Sequence, residues 1–274
     1  MIDAIECPVC KENSKKVIVF DKVDIFKCES CSHMFSKNVQ LKPEEIYCAD
    51  YFKSSHENFF NHPDVDLYDS VVNYIEKEKN MNISIVDLGC GTGNFLNYLK
   101  SRGFNNLTGV DLIENKDTSI EYMQSNILEY NPTKKFDVIV SNMNIEHIED
   151  LDSYISKIDS LLSEDGVVIL NTINEHSLIY TISKILNSLN IKFVAQRLYE
   201  PHHVNHFSIN SLELLLKRFN YKVINKKIKN YPLKSIDVPK GFFGFIQKCL
   251  VSVIFAFSSF SNLGISQTQY FKKK

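Results

Sequence analysis

Apolar residues in the second half of the chain form short continuous runs that alternate with helix-like segments. The runs are rich in branched residues, as strands covered on both faces are. The predicted strands lie at residues 83–88, 107–111, 136–141, 167–172, 221–229 and 265–272. Between them, residues 151–162 show apolar positions on one face of a helix. From Met81 onward this alternation predicts an α/β fold, with helices on both faces of a mostly parallel sheet.

Two details of this pattern are unusual. Gly166 follows the helix at residues 151–162, where a left-handed cap or turn is expected. Only about nine residues separate Asp111 from the next strand-like position near Glu121, whereas parallel crossovers need about a dozen or more. Either a short loop replaces the usual helix there, or the strand near Glu121 is misplaced.

The segment before Met81 has a different organisation. Residues 1–40 carry paired cysteines and short β-like runs, and residues 41–80 look helical, with Pro43 in a first helical turn and helix-like spacing over 64–79. We therefore predict three parts: a small cysteine-rich unit at 1–40, a helical connector at 41–80 and the α/β domain at 81–274.

Composition and charge narrow the class of protein. The 274 residues are 44% hydrophobic and 23% charged, as in folded soluble proteins. A net charge of -2, with acids and bases interspersed, argues against a nucleic-acid partner. The amino terminus lacks the pattern of a signal peptide, and paired cysteines are typical of metal binding in a reducing compartment. We expect a cytoplasmic protein.

Residues 241–265, GFFGFIQKCLVSVIFAFSSFSNLGI, are strongly apolar but are interrupted by Gln247, Lys248 and serines. A membrane span needs about 20 mostly apolar residues without a charge in their midst. We interpret the segment as a buried crossover helix or a homodimer contact. Peripheral attachment to a membrane is the alternative, although the helix lacks a rich basic face.

A glycine-rich turn, VDLGCGTGNFL, follows the strand at residues 83–88. Its G-x-G-x-G spacing is neither the dinucleotide fingerprint G-x-G-x-x-G nor a phosphate-binding P-loop. Glycines let the backbone approach a bulky ligand closely. Asp87 precedes the turn, and Asp111 ends the next strand, where a carboxylate can accept both hydroxyls of a ribose. This combination favours a cationic nucleoside such as S-adenosylmethionine (SAM).

The turn resembles the first motif of class I SAM-dependent methyltransferases. The resemblance continues through GVDL at 109–112, FDVIVSNMNIEHIED at 136–150, LLSEDGVVILNT at 161–172 and PHHVNHFSINSLELLLKRFNYKV at 201–223. It implies a Rossmann-like methyltransferase sheet with a carboxy-terminal antiparallel strand. It also implies that residues 41–80 cover the cofactor and that an insertion at about 174–210 covers the acceptor.

Carried onto this sequence, the resemblance implies a set of SAM-binding residues. Gly89, Gly91 and Gly93 would line the methionine end, Asp87 would bind the amino group and Asp111 the ribose. Asn126 stands where the family usually has an Asp near the adenine. The remaining members of the set are Leu112, Ile127 and, beside the sulfonium, Asn142 and Met143.

Four cysteines form two Cys-x-x-Cys pairs separated by seventeen residues: Cys7, Cys10, Cys28 and Cys31. This spacing is typical of a zinc ribbon, and four thiolates leave no open coordination position, so we expect a structural Zn²⁺. A redox role is the alternative. The arrangement is similar to a branch of bacterial methyltransferases with an amino-terminal ribbon, followed by an aromatic stretch, here at 47–52. Members of that branch often modify sugars, surface glycans or metabolites.

Two histidine groups are candidates for the chemistry. Glu146 and His147 follow the strand at 136–141 and match the family's Glu-His pair, so we expect His147 to act as base or to orient the acceptor, with Glu146 beside it. His202, His203 and His206 are predicted to shape the acceptor pocket. Packing without a catalytic role is the alternative for both groups. Some relatives bind a divalent metal through Glu-x-x-Glu-His, but Met143 replaces the first Glu, so no catalytic metal is expected.

The sequence therefore predicts a SAM-dependent methyltransferase that acts on a small molecule. A sugar or surface-glycan precursor is the first interpretation, as in polysaccharide modification, with oxygen as the acceptor atom. A zinc-ribbon rRNA or tRNA methyltransferase and a non-catalytic docking module are the alternatives. The intact glycines and Asp111 argue against the docking module.

Overall fold

The computed structural model describes residues 5–37, 57–79, 81–115, 119–239 and 241–274. Pro43 and the aromatic stretch at 47–52 lie outside the described residues. Of the predicted connector, the structure describes residues 57–79, which contain helices α1 (Glu57–Asn61) and α2 (Val65–Glu78). α2 begins after Asp64, whose carboxylate accepts a hydrogen bond from the backbone N–H of Leu67.

A small antiparallel sheet contains the cysteine-rich segment. In spatial order its strands are β1 (Ile5–Glu6), β2 (Asn13–Val19), β3 (Asp24–Cys28), β4 (Met34–Lys37) and β10 (Asn205–His206). The last strand comes from far along the chain: Asn205 lies opposite Phe35 and His206 opposite Met34. Main-chain pairing thus joins the cysteine-rich segment to the larger domain.

The larger sheet has seven strands. In spatial order they are β11 (Tyr221–Lys229), β12 (Ser266–Lys273), β9 (Leu162–Ile173), β8 (Phe136–Asn142), β5 (Ser84–Leu88), β6 (Asn106–Asp111) and β7 (Glu121–Gln124). The five strands from β9 to β7 run parallel, and β12 is antiparallel to both of its neighbours. This confirms the predicted α/β fold with a mostly parallel sheet and a carboxy-terminal antiparallel strand.

Alternating side chains of the large sheet enter two cores. The helices that follow α2 are α3 (Asn94–Ser101), α4 (Leu151–Leu161), α5 (Leu178–Ser188), α6 (Phe193–Leu198), α7 (Ile209–Arg218) and α8 (Phe242–Ser261). Val86 of β5 packs in a core with side chains of α4 and α7, whereas Ile85 packs in a core with side chains of α2 and α3. Phe26 and Phe35 of the small sheet belong to the first of these cores.

The connection from β6 to β7 is short. The two strands pair in parallel, from Thr108 opposite Glu121 to Asp111 opposite Gln124. The described residues between them, 112–115, 119 and 120, contain no helix. The interpretation that a loop replaces the usual crossover helix is therefore correct for these residues.

The expectation of a left-handed turn at Gly166 is wrong. β9 begins directly after α4, so Gly166 lies inside a strand, and it is not among the glycines with positive φ. A Cβ there would lie 2.6 Å from Leu162 Cγ. The glycine is needed because the Leu162 side chain lies against the backbone at this position.

Of the two interpretations of residues 241–265, the buried crossover helix is wrong, and the homodimer contact stays a prediction. The segment does form a helix, α8, but only 17% of its most apolar window is buried. Within the described residues, α8 alone has the length and the apolar composition of a helix that could cross a membrane. Its buried members are Gly244, Phe255 and Ser258.

Candidate active site

A cavity of about 570 Å³ lies at the carboxyl ends of the parallel strands. This is the edge of an open α/β sheet where ligands bind. Of the predicted site residues, those that line the cavity are Gly89, Gly91, Asp111, Leu112, Asn126, Ile127, Asn142, Met143, His147 and His203. Most of the predicted cofactor residues and one member of each histidine group therefore share one space.

The glycine turn has the backbone conformation that its sequence predicts. Gly89, Gly91 and Gly93 have φ values of +78°, +52° and +76°. A Cβ on Gly89 would lie 2.6 Å from Asn144 Cγ, and one on Gly93 would lie 2.1 Å from the Tyr122 hydroxyl oxygen. Gly89 and Gly91 line the cavity, whereas Gly93 does not and instead turns the chain into α3.

Asp87 lies beneath the turn and is 2% exposed. It lines a smaller cavity of about 90 Å³, which also shares Gly89, Asn142 and Met143 with the large one. Its Oδ1 atom is buried and has no hydrogen-bond partner among the described residues. Burial, with a smaller contribution from the charge of Asp111, raises the pKa of Asp87 to about 8. A buried, unpartnered carboxylate oxygen is suited to receive an ammonium group.

Asp111 ends β6 and holds the glycine turn from the other side. Its Oδ2 accepts a hydrogen bond of 2.7 Å from the Gly91 N–H, and its Oδ1 accepts one of 3.1 Å from Ile113 N–H. Burial raises the pKa of Asp111, and these backbone hydrogen bonds oppose that effect. The carboxylate is thereby fixed at the cavity wall, where it can accept hydrogen bonds from vicinal hydroxyls.

The residues predicted near the adenine and the sulfonium also lie at the cavity. The Asn126 Oδ1 accepts a hydrogen bond of 2.9 Å from Leu128 N–H, so this oxygen stabilises its own turn. Asn142 ends β8, and its buried Oδ1 has no partner among the described residues. Met143 has a φ of +49°, and the Tyr231 hydroxyl lies 3.1 Å from its sulfur. This strained conformation turns the chain at the carboxyl end of β8.

The histidines divide between two places. His147 Nδ1 lies 3.0 Å from the backbone oxygen of His202, and the two rings stack with centroids 5.3 Å apart. The His203 ring lies 4.8 Å from that of His147. His147 and His203 line the cavity and His202 does not, although its Nε2 lies 3.0 Å from Glu200 Oε2.

His206 lies outside this group. It is fully buried in β10, where Ser36 Oγ lies 3.0 Å from its Nε2. Burial, with a smaller contribution from His33, lowers its pKa to about 3. The structure thus places His206 in the seam between the two sheets, away from the cavity lining that was predicted for it.

Glu146 is buried beneath His147 and does not line the cavity. Its Oε2 accepts a hydrogen bond of 2.7 Å from the Thr172 hydroxyl, and its backbone oxygen accepts one of 2.8 Å from Val204 N–H. Burial raises the pKa of Glu146 to about 7. In this structure Glu146 holds the chain around His147 in position.

Several lining residues were missed by the sequence analysis: Phe59, Asn144, Tyr180, Arg197, Glu200 and Tyr231. Asn144 could have been predicted from the sequence, because it directly follows the predicted site residues Asn142 and Met143 at the end of β8. Its Nδ2 donates a hydrogen bond of 3.0 Å to the Tyr154 hydroxyl, which fixes it over Gly89. The others come from separate parts of the chain, and only the fold brings them together.

The four predicted zinc ligands lie together. The sulfur atoms of Cys7, Cys10, Cys28 and Cys31 all lie within 4.8 Å of one another. The Cys7–Cys31 separation is 3.7 Å and the Cys10–Cys28 separation is 3.3 Å. Tetrahedral zinc with Zn–S bonds of about 2.3 Å places sulfurs roughly 3.8 Å apart, so the cluster fits a four-thiolate zinc ion.

Comparisons with known proteins agree with this geometry. A family model described as a methyltransferase domain matches residues 60–226. The ubiquinone biosynthesis O-methyltransferase of Rickettsia bellii is 24% identical over 190 residues, which cover 63% of this chain and 78% of that protein. The enzyme of the same description from Actinobacillus pleuropneumoniae is 32% identical over 122 residues, which cover 38% and 52% of the two chains.

Two solved structures have a similar fold. A SAM-dependent methyltransferase from Archaeoglobus fulgidus superposes with a TM-score of 0.54 at 20% identity, covering 81% of this chain and 99% of that chain. The 1,6-didemethyltoxoflavin-N1-methyltransferase of Burkholderia thailandensis, bound to its substrate and S-adenosylhomocysteine, gives a TM-score of 0.53 at 12% identity, covering 94% and 99%. At these identities the likeness shows the fold.

Proposed function

The chain belongs to the methyltransferase domain family and is a SAM-dependent methyltransferase, and we propose that it methylates an oxygen of a small hydroxyl-bearing acceptor. The acceptor class that we favour is a sugar, a surface-glycan precursor or a related metabolite. The sequence relatives named as O-methyltransferases support oxygen as the acceptor atom.

The observation that carries the proposal is the pair of carboxylates flanking the glycine turn. The unpartnered Oδ1 of Asp87 is suited to the amino group of SAM, and Asp111 is suited to its ribose hydroxyls. When bound, SAM supplies a methyl group activated on a sulfonium. The chain's own residues then have to orient the acceptor, exclude water and remove a proton.

We assign to His147 the removal of the proton from the acceptor hydroxyl. A backbone carbonyl can only accept a hydrogen bond, so the 3.0 Å contact with the His202 oxygen places the hydrogen of a neutral imidazole on Nδ1. The lone pair of such a ring is then on Nε2, which makes this atom the base for an acceptor hydroxyl. Glu146 acts as a positioning residue.

The polar residues beside His147 support a hydroxyl-bearing acceptor. Arg197, Glu200 and His203 line the same cavity. Together they offer hydrogen-bond donors and acceptors to a polar molecule, while Tyr180 and Ile265 offer apolar surface. This combination fits a sugar ring with an apolar or aromatic neighbour.

We assign a structural Zn²⁺ to the four cysteines. The ion would bind Cys7, Cys10, Cys28 and Cys31 and would stabilise the small sheet, whose residues join the core of the large domain. Because reduced cysteines and bound zinc are typical of a reducing compartment, we also propose that the protein works in the cytoplasm.

A methyl-transfer assay tests this function. Purified protein is incubated with SAM carrying a labelled methyl group and with panels of sugar nucleotides, glycan precursors and phenolic metabolites. We expect label in an O-methyl ether in at least one panel. Transfer only to RNA, with an activity that falls steeply with salt, would replace the proposal with the nucleic-acid alternative.

A further inference from the structure

Most large apolar side chains of helix α8 point away from the protein. A surface helix of a water-soluble domain instead packs its apolar face inward. The inward face of α8 is anchored by polar contacts: Asn230 Nδ2 lies 2.9 Å from the Ser258 hydroxyl and donates a hydrogen bond of 3.0 Å to the Phe255 oxygen. Gly244 is buried against Pro239. The side that packs on the protein therefore combines small and polar residues with one large apolar side chain, Phe255.

The outward face of α8 consists of large apolar side chains. Phe260 is 94% exposed and Phe257 is 67% exposed. The other large apolar residues exposed on this helix are Phe242, Phe243, Phe245, Ile246, Leu250 and Val253. Exposing so many aromatic and branched side chains to water is unfavourable, and patches of this kind mark interaction surfaces.

Further exposed apolar side chains lie on α5, which contacts α8, and on α6, which packs against α5. α8 packs against α5, and the Leu178 N–H donates a hydrogen bond of 2.9 Å to the Leu263 oxygen. The exposed apolar side chains of α5, α6 and the turn between them are Ile185, Leu189, Ile191 and Phe193. We call these side chains, together with the outward face of α8, the apolar platform.

The segments that carry the platform are basic, in contrast to the whole chain, whose net charge is -2. Residues 177–199 contain Lys184, Lys192 and Arg197 and no acidic residue. Residues 230–265 contain Lys234, Lys240 and Lys248 and one acidic residue, Asp237. Lys184 is paired with Glu175 at 2.6 Å, and Arg197 lines the cavity. The four remaining lysines, against one acidic residue in these segments, favour an anionic partner and disfavour a second copy of the same surface.

We infer that the apolar platform docks the protein on an anionic lipid bilayer, with α8 lying in the plane of the interface. A helix of this length inserts its apolar face among acyl chains while its polar face stays on the protein, and nearby lysines bind the lipid phosphates. Because Asn230 and the buried Ser258 fix the inner face to the domain, α8 lies on the membrane and does not cross it.

The platform shares its helices with the cavity. Tyr180 of α5 and Leu198 of α6 line the cavity, as does Ile265, which follows α8. Docking therefore places helices that line the cavity at the membrane surface. For the proposed methyltransferase, on which this step rests, the acceptor is then a hydroxyl-bearing head group carried on a lipid.

Flotation of the zinc-loaded 274-residue chain with vesicles tests the inference. We expect the protein to float with vesicles of phosphatidylcholine and phosphatidylglycerol in a two-to-one ratio, and to float less with pure phosphatidylcholine or at high salt. The double variant L250E/F257E should lose at least tenfold in vesicle affinity and keep its affinity for SAM. Lys192→Gln, which removes one charge, should weaken binding about fivefold, at about 1 kcal/mol per basic residue near the surface.

A control variant in the flotation assay and a light-scattering measurement of the oligomeric state complete the test. Met81→Glu introduces the same charge at an exposed apolar site just before β5, at the sheet edge opposite the cavity, and should float like wild type. Wild type that stays in solution with anionic vesicles overturns the inference, and so does a dimer in light scattering that L250E/F257E dissociates. A protein that binds SAM but no vesicles loses only this inference, whereas one that floats but binds no SAM loses the proposed function and the lipid-carried acceptor but keeps the membrane docking.

Discussion

Asp87 and Asp111 lie at the carboxyl ends of adjacent parallel strands, one on each side of the glycine turn. Their relationship is asymmetric. Asp111 is held by two backbone N–H groups, whereas one oxygen of Asp87 has no hydrogen-bond partner among the described residues. Of this pair, Asp111 is therefore hydrogen-bonded within the protein, whereas Asp87 is suited to a cationic ligand.

The raised pKa of Asp87 predicts a pH dependence of stability. Its pKa rises from 3.8 to about 8 on folding, so the folded protein holds this proton more tightly than the unfolded chain. The ligand-free protein should therefore lose stability as pH rises from about 4 to 8. Asp87→Asn should remove this loss, so its Tm relative to wild type should be higher at pH 8 than at pH 5.

The same variant separates stability from binding. Asp87→Asn should weaken SAM binding by about 10–100-fold, because a hydrogen bond to a charged group contributes roughly 1.5–3 kcal/mol. Thermal melts from pH 5 to 9 and calorimetric titration with SAM measure the two effects. A variant that binds SAM like wild type would remove Asp87 from the site.

Asp111→Ala should weaken SAM binding by at least 100-fold. The substitution removes the proposed ribose acceptor and also releases the Gly91 N–H, so two stabilising contacts are lost. Glu129→Ala, which changes an exposed carboxylate in the loop after Asn126, is the matched control and should bind normally. Equal affinities of the two variants would contradict the ribose assignment.

His147→Ala should lower kcat by about 10²–10⁴-fold, the usual contribution of a general base, and leave the Kd for SAM within about twofold. His62→Ala, which removes an exposed imidazole, should change neither quantity. Steady-state kinetics measures kcat, and calorimetric titration measures the Kd for SAM. Near-normal turnover of His147→Ala would transfer the role of base to His203.

Metal analysis should find about one zinc per chain. Cys28→Ser should lose the zinc and destabilise the whole protein, because Cys28 and Phe26 share a core with α4 and α7. A loss of about 3 kcal/mol lowers Tm by roughly 6–12 °C in a domain of this size. The exposed Cys249→Ser should keep both zinc and Tm, and a folded metal-free wild type would refute the ribbon.

Some features of this protein could be predicted from local sequence. The glycine turn, Asp111 and the cysteine pairs follow from strand ends and short spacings, so their geometry is encoded within a few residues. The histidines of residues 202–206 show the limit. His203 lines the cavity and His206 lies in the seam, because β10 pairs with β4, a strand of the distant cysteine-rich segment.

Helix α8 shows a second limit. Its composition is that of a buried helix, and only the positions of Asn230 and Ser258 reveal which face packs on the domain. Likewise, Phe59, Arg197 and Tyr231 reach the cavity from three distant segments. Such contacts depend on the packing of the whole domain and have no local signal.

A crystal structure of the protein with S-adenosylhomocysteine, the product form of the methyl donor, would locate the cofactor directly. We predict that its amino group lies within hydrogen-bond distance of Asp87 Oδ1 and that both ribose hydroxyls contact the carboxylate of Asp111. A ligand bound elsewhere, or a glycine turn that stays empty at saturating concentration, would contradict the account.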